Sequence, residues 1–403
     1  MDKLPNGWKV AKIKSVVQKT ETYNPQNSKD SIFNYIDIGS IDNSAFKLTQ
    51  PKEILGKDAP SRARKRVRKG DVIFATTRPN LKNIAQIEID YYNSVASTGF
   101  CILRPITEID SKFLFYFLLT ENIQNQIAPF IRGAQYPAIS DNDLYSCSIP
   151  LPPLSEQINL VTKLDALFVR IDKSIALLEE NIKHTKGLVA SVLDETFGKI
   201  DTDNYLTIDE LSDLVTKGSS PTWQGIKYTD NINDVLFITS ENVGSYNLLL
   251  DKRKYLQIEF NEIQPRSILQ KGDILMNIVG ASIGRTAIFD IEINANINQA
   301  VCLIRLKRSK IDLKYALHFF NSPRCINLMF DNQVENARAN LSMGNIKKFL
   351  IPIPSMETQR KISNKLDLLM IKTNGIILAQ QSKLTYLKAL KSSLLNQAFK
   401  GDL

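Results

Sequence analysis

Cysteine and histidine are scarce in this chain of 403 residues, which has four cysteines (Cys101, Cys147, Cys302, Cys325) and two histidines (His184, His318). No two cysteines stand as C-x-x-C and none clusters with a histidine, so a zinc site has no ligand set to draw on. The cysteines read as buried, reduced thiols. No apolar run reaches the ~18–20 residues of a membrane span. The first residues also lack the charged-then-apolar profile of a secretion signal. The cytoplasm is the expected location, with no membrane partner. A methyl-donor glycine motif and an Asp/Asn-Pro-Pro-aromatic tetrapeptide are both missing. Gly280-Ala281-Ser282-Ile283-Gly284-Arg285 is not a Walker A loop: three residues separate its glycines, and arginine stands where lysine is required. Asp110-Ser111-Lys112 and Asp312-Leu313-Lys314 read as helix caps, not as nuclease carboxylates. We therefore expect no metal, no cofactor and no catalytic residue in this chain.

What is present is a repeat. At an offset of 202 residues, Lys69-Gly70-Asp71-Val72-Ile73 answers Lys271-Gly272-Asp273-Ile274-Leu275, and Ile149-Pro150-Leu151-Pro152 answers Ile351-Pro352-Ile353-Pro354. Gln157, Lys163-Leu164-Asp165 and Phe197 return as Gln359, Lys365-Leu366-Asp367 and Phe399. Near Cys101 the offset slips by one, so that Phe100-Cys101-Ile102-Leu103-Arg104 answers Val301-Cys302-Leu303-Ile304-Arg305. A constant offset means two copies of one fold. Similarity is lowest in residues 18–65 against 218–266. A repeated scaffold with divergent surfaces suggests the same task done on two different targets.

Each copy opens with short β-rich runs such as Val72-Ile73-Phe74-Ala75, punctuated by turn formers. Residues 111–131 and 313–330 look helical. After Pro150, Pro152 and Pro153, Ser155 is a plausible N-cap, with Glu156 in the first turn. A proline-free heptad pattern follows to about Phe197. Val161, Phe168 and Ile175 take one position of the seam, and Leu164, Ile171 and Leu178 the other. The second seam runs from Ser355 to about Phe399. It uses Leu366, Met370, Ile377 and Leu384 and is interrupted by Thr373, Gln380 and Lys391. Each helix would be roughly 65 Å long. Two units joined head to tail make such helices antiparallel. The predicted fold is α+β: two β-rich domains with helices, at 1–153 and 201–354, separated by an antiparallel coiled coil of helices at 154–200 and 355–403, related by a pseudo-two-fold axis.

Net charge is +9. The excess is shared between the halves, with 26 basic and 22 acidic residues up to position 200 and 25 and 20 after it. Such a balance favours a polyanion. Arg62, Arg64, Lys65, Arg66, Arg68 and Lys69 place six cations in eight positions, a pattern that the second copy lacks. They are candidates for phosphate contact and guanine readout. Arg78, Asn80 and Lys82 follow the Lys-Gly-Asp strand, and Arg285 occupies the matching loop. Arg132, Gln135 and Tyr136 answer Arg338 and Asn340, and Lys227 and Gln299 complete the candidates in the second copy. Arginine and amide side chains are the usual bidentate readers of guanine and adenine.

The order of these features resembles the specificity subunits of type I restriction–modification systems. The resemblance rests on Leu4-Pro5-Asn6-Gly7-Trp8, Lys-Gly-Asp, Asn298-Gln299-Ala300, Asn340-Leu341-Ser342, the Pro-rich run 149–157 and the ending at 394–403. It covers essentially the whole chain. It implies a non-catalytic subunit whose two domains each read one half of an interrupted double-stranded DNA site. The helices would set the spacer and dock two methyltransferase subunits, with restriction subunits completing the enzyme. S-adenosylmethionine, ATP and Mg would then belong to the partners. Half-sites read from one side of the duplex would lie ~10 bp apart, centre to centre. A stand-alone DNA-binding regulator would instead purify as a solitary homodimer, and an atypical DNA-modifying enzyme would transfer methyl groups unaided.

Overall fold

The central strand of each lobe forms where apolar residues run almost unbroken, because both of its faces are covered. In the computed structural model, which describes residues 5–331 and 340–403, Val72–Ala75 is buried throughout. Side chains alternate between the faces of a strand. Val72 and Phe74 enter a core with the helix Ser111–Leu119, and Ile73 and Ala75 a second core beneath another sheet. Asp273–Asn277 divides the same way, with Ile274 and Met276 on one side and Leu275 on the other.

The chain forms two compact units, 1–179 with 382–403, and 180–381. Their boundaries fall inside the long helices, whereas the sequence reading placed them at the helix ends. In unit 1 one sheet has the order Val17–Gln18, Phe100–Pro105, Val72–Ala75, Ile84–Gln86. Unit 2 repeats it as Ser212–Lys217, Val301–Leu306, Asp273–Asn277, Thr286–Phe289. Cys101 pairs with Phe74 and Cys302 with Met276, so the slipped offset is real: the connection between these strands is one residue shorter in unit 2. The second sheets share a parallel pair, Ile32–Ile36 with Ser94–Ser97 and Val235–Ile238 with Ala295–Ile297. Their fourth strands differ. Unit 1 adds the basic strand Ala63–Arg66 beside Ser94–Ser97, whereas unit 2 adds Tyr228–Thr229 at the opposite edge.

The long helices span Leu154–Gly198 and Met356–Ala398. Ser155 is not the N-cap of the first. The N–H groups of Glu156 and Gln157 both bond to the Pro153 carbonyl, so Pro153, just before the first helical residue, holds the cap position. Ser355, which answers Pro153 at the offset of 202, caps the second helix: its Oγ accepts from the Thr358 N–H at 3.2 Å. In unit 1 the two helix segments run antiparallel, with Lys391 on Asp172 and Lys388 on Glu179. Phe399 packs on Phe113 and Phe117 at 4.8 and 5.5 Å, and in unit 2 Phe197 packs on Tyr315 and Phe319 at 5.4 and 5.3 Å.

Repeated polar contacts lock each helix to its lobe. Buried Gln157 accepts from the Asp110 N–H at 2.9 Å and donates to the carbonyls of Glu108 and Pro152, and Gln359 accepts from the Asp312 N–H at 2.8 Å. Asp110 and Asp312 cap their helices through their side chains, as expected. Asp165 takes Lys112 and the Tyr116 hydroxyl, and Asp367 takes Lys314 and, in place of the tyrosine, His318. The His318 ring is buried, 3.0 Å from Asp367 and 3.2 Å from the Tyr246 hydroxyl. Burial holds its pKa below the ordinary value of 6.5, with Lys314 acting in the same sense and Asp367 and Asp312 opposing. The unfolded chain therefore takes up the proton first. The stability this site contributes is complete above about pH 6.5 and falls as pH drops toward the depressed value. His318→Tyr, which copies unit 1, should abolish that acid sensitivity in thermal melts of unit 2. An unchanged pH dependence in the variant would assign the effect elsewhere.

Candidate nucleic-acid interface

The Lys-Gly-Asp motif builds the turn that delivers the candidate loops. Gly70 and Gly272 sit at φ +87° and +92°, a region that favours glycine. The aspartates that follow are 1% exposed. Asp71 receives two arms of Arg104, both at 2.8 Å, and the Arg68 N–H at 2.9 Å. Asp273 receives Arg305 at 2.8 and 2.7 Å and the Gln270 N–H at 2.7 Å. These carboxylates are structural, and each holds in place the strand that leads into the next loop.

In unit 1 that loop carries Arg78 and Lys82, both in left-handed backbone conformations, with Asn80 exposed between them. Fifty residues on, Arg132 and Ala138 close a second loop by exchanging backbone hydrogen bonds. The two loops dock: the Arg78 N–H reaches the Pro137 carbonyl at 2.6 Å and the Ile139 N–H the Thr76 carbonyl at 2.9 Å. The Arg78 guanidinium lies 5.3 Å over the Tyr136 ring. Tyr136 is 73% exposed, the Arg132 side chain 75%, and Gln135 is exposed beside them. Arg62, also exposed, joins this group through the Thr98–Gly99 turn. Its carbonyl takes the Thr98 N–H, and the Gly99 carbonyl takes the Thr76 N–H.

Four other cations of the cluster are engaged within the lobe. Lys65 donates to the Phe100 carbonyl at 2.6 Å and to Asp141 at 2.5 Å, with its side chain 17% exposed. Arg64 donates to the Ala63 carbonyl, Arg66 lies 4.3 Å over the Tyr23 ring, and Arg68 pairs with Glu21 at 2.6 Å. The Lys69 N–H donates to Asp90. Lys82 donates to the Leu119 carbonyl, and burial lowers its pKa.

Unit 2 repeats the docking. Ile278 is bonded to Ala300 and Leu341, and Val279 bridges Asn340. Arg285, Gln299, Asn340 and Lys227 are all exposed. Arg338 lies outside the described residues. Gly218 is pressed against the Ile297 carbonyl oxygen, which an added Cβ would approach to 1.8 Å. The chain after Gly218 therefore leaves beside the turn that holds Gln299. Trp223, which the sequence reading passed over, is 81% exposed on this segment.

Of the seam candidates, Leu164, Phe168, Ile171 and Leu366 are buried, and Val161, Ile175, Leu178, Met370, Ile377 and Leu384 are half-buried. Two interrupting polar residues find partners within their own units. Lys391 pairs with Asp172 and lies 4.9 Å over the Phe168 ring, and Thr373 donates to the Leu369 carbonyl. All four cysteines are buried and free, and burial pushes the Cys101 thiol up to about 12. Among the described residues no group of His, Cys, Asp and Glu could hold a metal ion, and no helix is long and apolar enough to cross a membrane.

Two lobes of one topology, presenting different cations and amides from matched pairs of loops, are the build of a duplicated DNA-reading protein. Comparisons with known proteins agree. A family model described as the type I restriction modification DNA specificity domain matches residues 5–183 and again 205–386. The EcoBI specificity subunit of Escherichia coli is 29% identical over 287 residues, covering 66% of this chain and 60% of that protein. The EcoKI specificity subunit of Escherichia coli strain K12 is 24% identical over 436 residues, covering 100% and 90%. The chain thus spans three fifths of the first relative and nine tenths of the second. Among solved structures, the HsdS subunit from Thermoanaerobacter tengcongensis is 32% identical with a TM-score of 0.59, covering 100% of this chain and 98% of that one. A chain from work on complex assembly and conformational transition of the type I R-M system is 31% identical with a TM-score of 0.84, covering 100% of both. The chain belongs to the type I restriction–modification DNA specificity family, and carries the family domain twice.

Proposed function

We propose that this chain is the non-catalytic specificity subunit of a type I restriction–modification enzyme, with each lobe reading one half of an interrupted DNA site. The observation that carries this is the matched pair of docked loops. The same backbone contacts present Arg78, Arg132, Gln135 and Tyr136 in unit 1, but Arg285, Gln299 and Asn340 in unit 2. One scaffold with two sets of readers suits an asymmetric target. The helices set the spacer and dock two methyltransferase subunits, and restriction subunits complete the enzyme. S-adenosylmethionine, ATP and Mg belong to those partners. Docking is supported by apolar helix residues that are more than half exposed, namely Val169 and Leu177 in unit 1 and Ile371 and Leu378 in unit 2.

Inserting four residues into both long helices adds about 6 Å to each. The spacer of the methylated motif should then grow by one or two base pairs, read by long-read methylome mapping of cells that express the chain with its methyltransferase. An unaltered spacer would refute the helices as a ruler. Co-purification as a solitary homodimer would favour a stand-alone regulator instead.

A further inference from the structure

We infer that Trp223 determines base preference in the half of the DNA site read by unit 2, packing its indole against the bases. This rests on the reading above and names a residue within it. Tryptophan is amphipathic and is normally covered. The chain's other tryptophan follows that rule: Trp8 is 9% exposed and its Nε1 donates to Glu156 at 2.9 Å. Trp223 is 81% exposed, yet its backbone is not loose.

The turn that carries it is tightly built. Gln224 and Ile226 N–H groups both donate to the Pro221 carbonyl, at 3.0 and 3.1 Å, and the Gly225 N–H donates to Thr222 at 3.3 Å. Gln224 Nε2 ties back to Ser219 Oγ at 3.0 Å. Pro221 is buried, and Ile226 anchors the far side against the core of Val235, Phe237, Leu256 and Phe260. A large apolar side chain held outward on a fixed backbone gives up little conformational freedom on binding.

Its surroundings indicate the partner. Gly218 fixes the start of the segment beside the turn bearing exposed Gln299, and Ala300 of that turn holds the loop that leads to Arg285. Residues 214–229 contain Lys217 and Lys227 and no acidic residue. Flanked by Asp213 and Asp230, this stretch itself carries only positive charge, which suits a polyanion such as DNA. The segment then runs into Tyr228–Thr229, the strand that unit 1 lacks at this edge, while unit 1 places its arginine-rich strand at the other. Where the two lobes part in architecture, unit 1 sets exposed Arg62 at the start of its extra strand and unit 2 sets an exposed indole before its own. Discrimination between two half-sites must come from such differences. Apolar contacts with thymine methyls or base faces are the readout an indole provides.

The test uses the chain co-expressed with its methyltransferase subunits, as wild type, Trp223→Ala and Trp223→Phe. Methylome mapping should show Trp223→Ala relaxing at least one base in one half of the motif, with the other half unchanged. Affinity of the purified complex for the site should fall about tenfold. Trp223→Phe, which keeps an aromatic plane, should retain most of the preference. Thermal melts should match the wild type, since the side chain is exposed. A wild-type motif and affinity in Trp223→Ala would overturn the inference. So would loss of the methyltransferase subunits on purification of a folded variant, which would make Trp223 a partner contact. A wild type that methylates no interrupted motif would overturn the broader reading too, an outcome distinct from either.

Discussion

Asp71→Ala should lower the stability of unit 1 by about 2–3 kcal/mol, because it leaves the partly buried Arg104 guanidinium without its counter-charge and the Arg68 N–H without an acceptor. Both arms of that arginine end on Asp71, whose carboxylate also takes the Arg68 N–H. The lobe then loses an ion pair and the turn that starts its central strand together. Asp273→Ala should act in the same direction on unit 2, where the Gln270 N–H loses its acceptor and Arg305 keeps only the Ile268 carbonyl at 3.1 Å. Because each lobe has its own pair, the variants should split the thermal unfolding curve, with the altered unit melting first. Replacing both partners with apolar residues, Asp71→Leu with Arg104→Met, should recover much of the loss. Recovery should stay incomplete, since the Arg68 N–H would still lack an acceptor. A single-transition melt at the wild-type temperature for Asp71→Ala would contradict this account.

The second large effect concerns DNA. Arg62, Arg78 and Arg132 have exposed side chains on segments joined by backbone hydrogen bonds, with Arg132 3.7 Å from Asp143 at its exposed end. If each neutralises one phosphate, replacing all three with alanine should flatten the log–log dependence of affinity on salt by about 2.7. At 0.1 M salt the same change should weaken binding by about 500-fold. Lys65→Ala should behave differently, although Lys65 belongs to the same cationic run. Its ammonium is held by Asp141 and the Phe100 carbonyl, so its loss should lower stability and leave the salt slope as it was. Titrations of the complex against one duplex over a range of salt separate the two outcomes. Equal slopes for the triple variant and the wild type would remove these arginines from the phosphate contacts.

Contrasts of this kind mark how far the sequence could be read. Features that depend on local pattern were legible: the repeat, the aspartate caps at 110 and 312, the buried strand runs and the two long helices. A one-residue slip near Cys101, visible in the sequence, reappears as a shorter connection between paired strands. What escaped depends on partners remote in the chain. Nothing near Lys65 marks it as the partner of Asp141, and nothing in residues 76–82 shows that 132–138 docks on them. Ser155 has the chemistry of a cap but lost the position to Pro153, whose backbone suffices. Asp165 and Asp367 stood out only as repeated letters, and their role in holding Lys112 and Tyr116, or Lys314 and His318, is tertiary. Trp223 lay in the most divergent stretch, where comparison of the copies is uninformative. Its one local signal was a lone aromatic in a Pro-to-Gly turn.

The ownership of Phe399 bears on biosynthesis. This ring fills the aromatic nest of Phe113 and Phe117, Asn396 accepts from the Glu121 N–H, and Gly401 lies against the Pro5 ring. The lobe that begins before the other is thus finished by residues 382–403, which are translated after it, while the other lobe is continuous from 180 to 381. On the ribosome the later lobe can reach its native state before the earlier one. A chain ended after residue 381 but before Phe399 would leave the nest of the first lobe open with the other lobe whole, so quality control that recognises unfilled apolar surface would act on the first lobe.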